Sequence, residues 1–304
     1  MIFKQVATQI MRLFLALALG NIIGLATFAF FAIVSYALKI WELEITADFI
    51  SFSEVNYSFT LGAFMLGGSL IAGFIYSRLE GPRSHGPADL MVCIKKDELP
   101  DIKAGFITSF LTMVSVSSGS SVGMFGPIIH YGGCIAASLE RFFKVLTRGV
   151  VLAAGGAAGI AALFSAPIAA SIFAHEMLLR RFRSTESLPV IMAALGGYFS
   201  AVMLLGDNRR FLSVIGDPPP LEPFSLGMAI LVGIFSGLLS SLYVYLVGAG
   251  PGWVKKTNVP PFFRPLIAAT ILFAISPFFP QLIGPGMPAV NMALAGEFTL
   301  YLLI

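Results

Sequence analysis

Charged residues are absent from seven long stretches of this 304-residue chain, and that pattern restricts the fold more than any other feature. The uncharged runs cover residues 13–38, 57–77, 104–139, 149–174, 187–206, 224–254 and 265–295. Each reaches the roughly 20 residues that a membrane-spanning helix needs. None alternates polar with apolar residues as the strands of a membrane barrel do, so helices remain as the way to satisfy backbone groups in lipid. Only 12% of the residues are charged and 57% are hydrophobic, whereas soluble domains carry about 25% charged residues. The expected class is all-α, a polytopic integral membrane protein embedded in a lipid bilayer.

Lys4 and Arg12 lead into the first run, and no small-residue cleavage site follows a short apolar core, so 13–38 reads as a retained helix. The next loop is expected to hold Glu42, Glu44, Asp48 and Glu54, with Lys39 at its edge. The positive-inside bias then places the N-terminus in the cytoplasm, and the basic loop with Arg78, Arg83, Lys95, Lys96 and Lys103 on the same side. Further on, Arg141, Lys144 and Arg148 follow another apolar run, and sidedness no longer alternates simply, so some segments are expected not to cross fully. The expected location is a multi-pass protein of a bacterial inner membrane. Cys93 and Cys134 lie in or beside apolar sequence and support neither a disulfide framework nor a Cys-based metal site. No loop joins a dense basic patch to aromatic residues, so a nucleic-acid partner is not expected.

The run 104–139 is too long for one crossing, and its centre, residues 115–127, reads SVSSGSSVGMFGP. Gly119, Gly123 and Gly126 weaken helix continuity, and Pro127 is suited to be the first residue of a new helix, where its missing N–H costs nothing. Two helices meeting at an irregular joint are expected there. Within a membrane such a joint must be enclosed by protein or water, and the second helix then aims its unpaired first-turn N–H groups at the enclosed site. Those groups carry about half a positive charge and favour an anion without any ionised side chain. Residues 81–87, GPRSHGP, and Ser165-Ala166-Pro167 have the same grammar, and half-helices aimed at one midplane site are a usual transporter construction. Gly155 and Gly159, four apart, fit instead a small-residue packing face. Residues 119–123 also satisfy G-x-S-x-G, with His130 and His175 in apolar segments, but a nucleophile elbow needs a strand before its helix and no strand context is present. An enzyme is not expected.

Three blocks carry a family resemblance. Residues 119–139, GSSVGMFGPIIHYGGCIAASL, resemble the region of CLC chloride channels and transporters whose signature is G-R-E-G-P. Residues 155–177, GGAAGIAALFSAPIAASIFAHEM, resemble the next block of that family, and 84–91, SHGPADLM, resemble its first anion-site loop. The resemblance implies a CLC-like inverted-repeat membrane fold, chloride as the transported ligand with no cofactor, and a homodimer. It also implies an anion site formed by the backbone of Gly123, Met124, Phe125 and Gly126, together with Ser84 or His85. The choice between the last two depends on register, and His85 is the preferred one.

Phe125 departs from the family pattern, because it stands where the family has a gating glutamate; Met124 likewise replaces the usual Arg. Phenylalanine neither ionises nor transfers a proton, so the resemblance implies a passive, proton-uncoupled member in which Phe125 is a plug or an apolar gate, with a plain packing residue as the alternative reading. Glu176 occupies the place of the family's inner proton-accepting glutamate, with an i,i+4 ion pair to Arg180 as the alternative reading. Residues 1–223 are expected to form the first repeat and 224–304 the start of a second, incomplete one. The family's G-I-F-A-P motif and later Tyr do not occur in the chain. A secondary transporter of another small anion and a non-transporting membrane scaffold remain the alternative functions.

Overall fold

A computed structural model describes residues 2–48, 55–79, 86–205, 222–279, 282–286 and 290. Helices account for the regular structure of these residues. They are α1 (Ile2–Asp48), α2 (Val55–Arg78), α3 (Pro87–Lys96), α4 (Ile102–Ser117), α5 (Phe125–Leu139) and α6 (Arg148–Phe164), followed by α7 (Pro167–Phe173), α8 (Ser184–Leu205), α9 (Pro223–Lys256) and α10 (Phe263–Ile275). A 3₁₀ turn, Glu140–Phe142, follows α5, and a π-helical turn, Ala174–Leu179, follows α7.

The all-α polytopic expectation holds, with two corrections to how the apolar runs are used. Among the described residues, four segments are continuous helices long and apolar enough to cross a membrane: Val6–Leu38, Leu61–Arg78, Ser184–Leu204 and Pro223–Val254. The runs 104–139 and 149–174 are instead divided between α4 and α5 and between α6 and α7, because glycine, serine and proline interrupt them. The second correction concerns the acidic segment after the first run. Glu42, Glu44 and Asp48 continue α1 as helix and do not form a loop, since no glycine or proline lies between Leu38 and Asp48 to stop it.

α6 is the centre of the bundle. Every residue from Gly149 to Gly159 is buried, as a helix apolar on all sides must be when other helices surround it. α1, α5 and α8 pack around it, and α3 and α7 close its ends. These contacts are made at glycine. Gly132 of α5 and Gly155 of α6 meet backbone to backbone, and a Cβ on Gly155 would lie 2.6 Å from the Ala136 Cβ. One turn along, a Cβ on Gly159 would lie 3.2 Å from the Ile128 carbonyl oxygen. The 155/159 spacing is therefore the packing face read from the sequence. On the other side of α6, Gly197 of α8 sits against the Ala158 backbone and against Gly24 of α1. Polar contact adds to that crossing, where the Ser200 hydroxyl donates to Asn21 Oδ1 at 2.7 Å. Cys134 is buried on α5 and Cys93 is half-buried on α3, and both are free thiols.

Candidate functional site

α4 ends where Gly119 adopts φ 85°, a left-handed conformation that glycine takes without a Cβ penalty. Ser118 is buried at this cap, its hydroxyl donating to the Ser115 carbonyl at 2.9 Å. The chain then runs through Ser121, Val122 and Gly123, all exposed, and α5 begins at Phe125. The start lies two residues before Pro127, the position expected from proline alone. Proline is tolerated there because the first four N–H groups of a helix have no intrahelical acceptor.

The N-cap of α5 is Met124, which makes no side-chain cap, and the first turn has no acidic residue. The first backbone bond runs from Ile128 N–H to the Met124 carbonyl at 3.1 Å. The N–H groups of Phe125 and Gly126 thus precede the helical ladder, and Pro127 has none to offer. The positive end of α5 is not offset by any carboxylate of its own.

All three irregular joints come together at this point. A Cβ on Gly126 would lie 3.6 Å from the Pro87 ring, so the start of α3 abuts the start of α5. The Phe125 ring packs on Phe164, the last residue of α6, with centroids 4.9 Å apart and planes at 34°. Immediately after Phe164, Ser165 takes φ 53° and α7 starts at Pro167, as the sequence predicts. The two approaching helix starts differ electrically. Asp89 accepts from the Gly86 N–H at 3.0 Å and offsets the positive end of α3, whereas α5 keeps its own positive end, which makes α5 the better seat for an anion.

Of the residues singled out in the sequence, Gly123 is exposed, and Phe125 and Gly126 are half-buried at the joint. The Met124 side chain is 2% exposed and packs with Phe30, Val34, Val116, Ile128 and Leu163, so only its backbone is left to face a ligand. Ser84 and His85 lie outside the described residues. Glu176 is not part of this convergence. It is exposed on the π-helical turn beyond α7, and no ion pair joins it to Arg180 among the described residues. The π turn widens the helical step and Arg180 leaves it at φ 54°, so the i,i+4 geometry of an α-helix is lost. Beside Glu176, His175 is buried, stacks on Phe182 and shares a 2.9 Å hydrogen bond between Nδ1 and the Arg181 carbonyl. Phe164 is the residue the sequence reading missed, and its place directly before the Ser-Ala-Pro joint is the signal that points to it.

The family model described as voltage gated chloride channel matches residues 68–304. This chain belongs to the voltage-gated chloride channel family. Among relatives within that family, the ClC-type chloride channel ClcB of Salmonella dublin is 25% identical over 228 residues, 74% of this chain and 54% of that protein. ClcB of Yersinia pestis is 27% identical over 199 residues, 64% of this chain and 48% of its own length. The chain spans about half the length of the curated relatives it matches. The fold is that of a slow cyanobacterial Cl⁻/H⁺ antiporter, with TM-score 0.78 at 20% identity over 96% of this chain and 69% of that one. A CLC-type fluoride/proton antiporter matches with TM-score 0.74 at 20% identity over 100% of this chain and 74% of its own.

Proposed function

We propose that this chain conducts chloride or a similar small anion passively, without coupling to protons, through a path that passes the start of α5. Phe125 carries the reading. It stands at the junction of the three joints, beside the uncapped N-terminus of α5, and its ring holds no proton to exchange. A carboxylate there would compete with chloride for the same N–H groups; an apolar ring competes only for space. On this reading residues 1–223 form the first repeat and 224–304 the start of the second, the N-terminus is cytoplasmic, and the working unit is a homodimer. Gly123, Met124, Phe125 and Gly126 supply backbone to the site, with Ser84 or His85 from the preceding loop, while Glu176, at the place of the family's inner proton-accepting glutamate, has no ionisable group at Phe125 with which to exchange a proton.

The test is chloride efflux from proteoliposomes, measured with and without an imposed pH gradient while external pH is recorded. The expected result is chloride flux that moves no protons and is unaffected by the gradient. Proton movement in fixed ratio to chloride would refute the uncoupled reading. Phe164 offers a second check. An aromatic pair contributes about 0.5–1.5 kcal/mol beyond its area burial, so Phe164→Ala is expected to free the Phe125 ring and raise flux up to about tenfold. Unchanged flux would place the ring pair away from the conducting path.

A further inference from the structure

Beyond the anion path, the molecule gathers basic residues from distant parts of the chain at one end of the bundle. The end of α3, the start of α6 and the end of the π turn meet there: a Cβ on Gly149 would lie 3.4 Å from Ile94 Cγ2 and 3.9 Å from Leu179 Cδ2. The next residues outward are Lys95 and Lys96, Arg148, and Arg180. The start of α1 joins them, with Arg12 Nε donating to the Val145 carbonyl at 3.0 Å.

Some of these cations are committed within the protein. Arg148 pairs with Glu140 at 2.9 Å and also donates to the Asp97 carbonyl, and Arg181 pairs with Glu186 at 2.9 Å. Lys95, Lys96, Arg141, Lys144 and Arg180 are exposed and make no ion pair among the described residues. Arg183 is exposed as well, with Glu186 at 3.9 Å. The exposed acids Asp97, Glu98, Asp101 and Glu176 at this end are fewer than the cations. Two aromatic rings project beside them: Phe142 is 59% exposed beneath the Arg141 guanidinium, and Phe182, 65% exposed, lies between Arg181 and Arg183.

We propose that this end is a docking surface for the headgroups of anionic phospholipids. Exposed phenylalanine beside exposed arginine, at the ends of membrane-embedded helices, matches the boundary between acyl chains and headgroups: the ring enters the apolar layer and the cation stays with the phosphate. A polybasic surface next to a membrane gains about 1 kcal/mol per basic residue from anionic lipid. That corresponds to roughly thirtyfold in affinity for two residues. The inference does not depend on what the anion path carries.

Native mass spectrometry of the full chain, released from detergent with phosphatidylglycerol or phosphatidylcholine at equal concentration, tests it. Phosphatidylglycerol is expected to remain bound in preference, and K95Q/R180Q to weaken it roughly thirtyfold. The charge-keeping variant K95R/R180K is expected to retain the preference. Equal retention of the two lipids overturns the proposal, as does an equal loss in K95R/R180K. Displacement of phosphatidylglycerol by inorganic phosphate at matched concentration also overturns it, by assigning the surface to soluble anions. Should K95Q/R180Q fail to fold, the unaltered chain still decides: phosphatidylglycerol retention must fall between 50 and 500 mM salt (on the order of the range over which surface charges become screened), and salt-independent retention overturns the proposal.

Discussion

Replacing Phe125 by Glu is expected to make anion flux depend on pH, with more flux in acid than at neutral pH. The sign follows from the position. A glutamate at the start of α5 would be a carboxylate at neutral pH, since its ordinary pKa is about 4.3. The uncapped helix end favours that charged form, by up to about 2 kcal/mol in a partly buried geometry. The carboxylate would then occupy the N–H groups of Phe125's own turn and of Gly126, and exclude chloride. Protonation removes the charge and releases the site, so flux should rise as pH falls, by up to about thirtyfold on that energy. The unaltered chain, with Phe125 against Phe164, should show no such profile. Chloride efflux from proteoliposomes between acid and neutral pH measures the difference, and identical profiles for the two proteins would remove Phe125 from the conducting path.

Gly155→Leu is expected to have the largest effect on stability. Gly155 and Gly132 bring α5 and α6 into backbone contact, and a Cβ on Gly155 would already crowd Gly132, with its carbonyl carbon 3.0 Å away and the Ala136 Cβ at 2.6 Å. The obstructing atoms are largely backbone, so no rotamer change relieves them, and the helices must separate. Overpacking a core costs typically about 1–3 kcal/mol, and here the contact lies between the two central helices. Because α5 carries the candidate site at its start, its displacement should lower flux as well. Thermal unfolding in detergent is the measurement. Gly67→Ala on α2 is the comparison, because nothing lies within 4 Å of its Cβ position and the change should leave the midpoint near that of the unaltered chain. A Gly155→Leu midpoint equal to that of Gly67→Ala would show that α5 and α6 do not depend on this contact.

Several site features were already visible as local chemistry. Pro87 and Pro167 begin α3 and α7 because proline fixes its own φ and lacks the N–H that a first turn leaves unpaired. Gly119 ends α4 because a left-handed residue was needed there. The expected start at Pro127 failed for a related reason, since proline is tolerated anywhere in the first turn and does not mark which residue opens it. The Glu176–Arg180 pair did not form because its spacing assumed an α-helix, and a π turn occupies those residues.

By itself, then, the sequence determined membrane residence, the broken helices and their approximate joints, and the Gly155/Gly159 packing face, since hydropathy, proline and glycine act over a few neighbouring residues. Only the tertiary structure decided that the joints near residues 87, 125 and 165 meet, that Asp89 offsets one helix end while α5 keeps its own, and that Phe164 is the partner of Phe125. Those pairings rest on close packing of helices far apart in the chain, through contacts such as Gly132 with Gly155 and Gly24 with Gly197. A glycine in the sequence signals that a neighbour can come close; which neighbour does so is fixed only when all the helices are packed together.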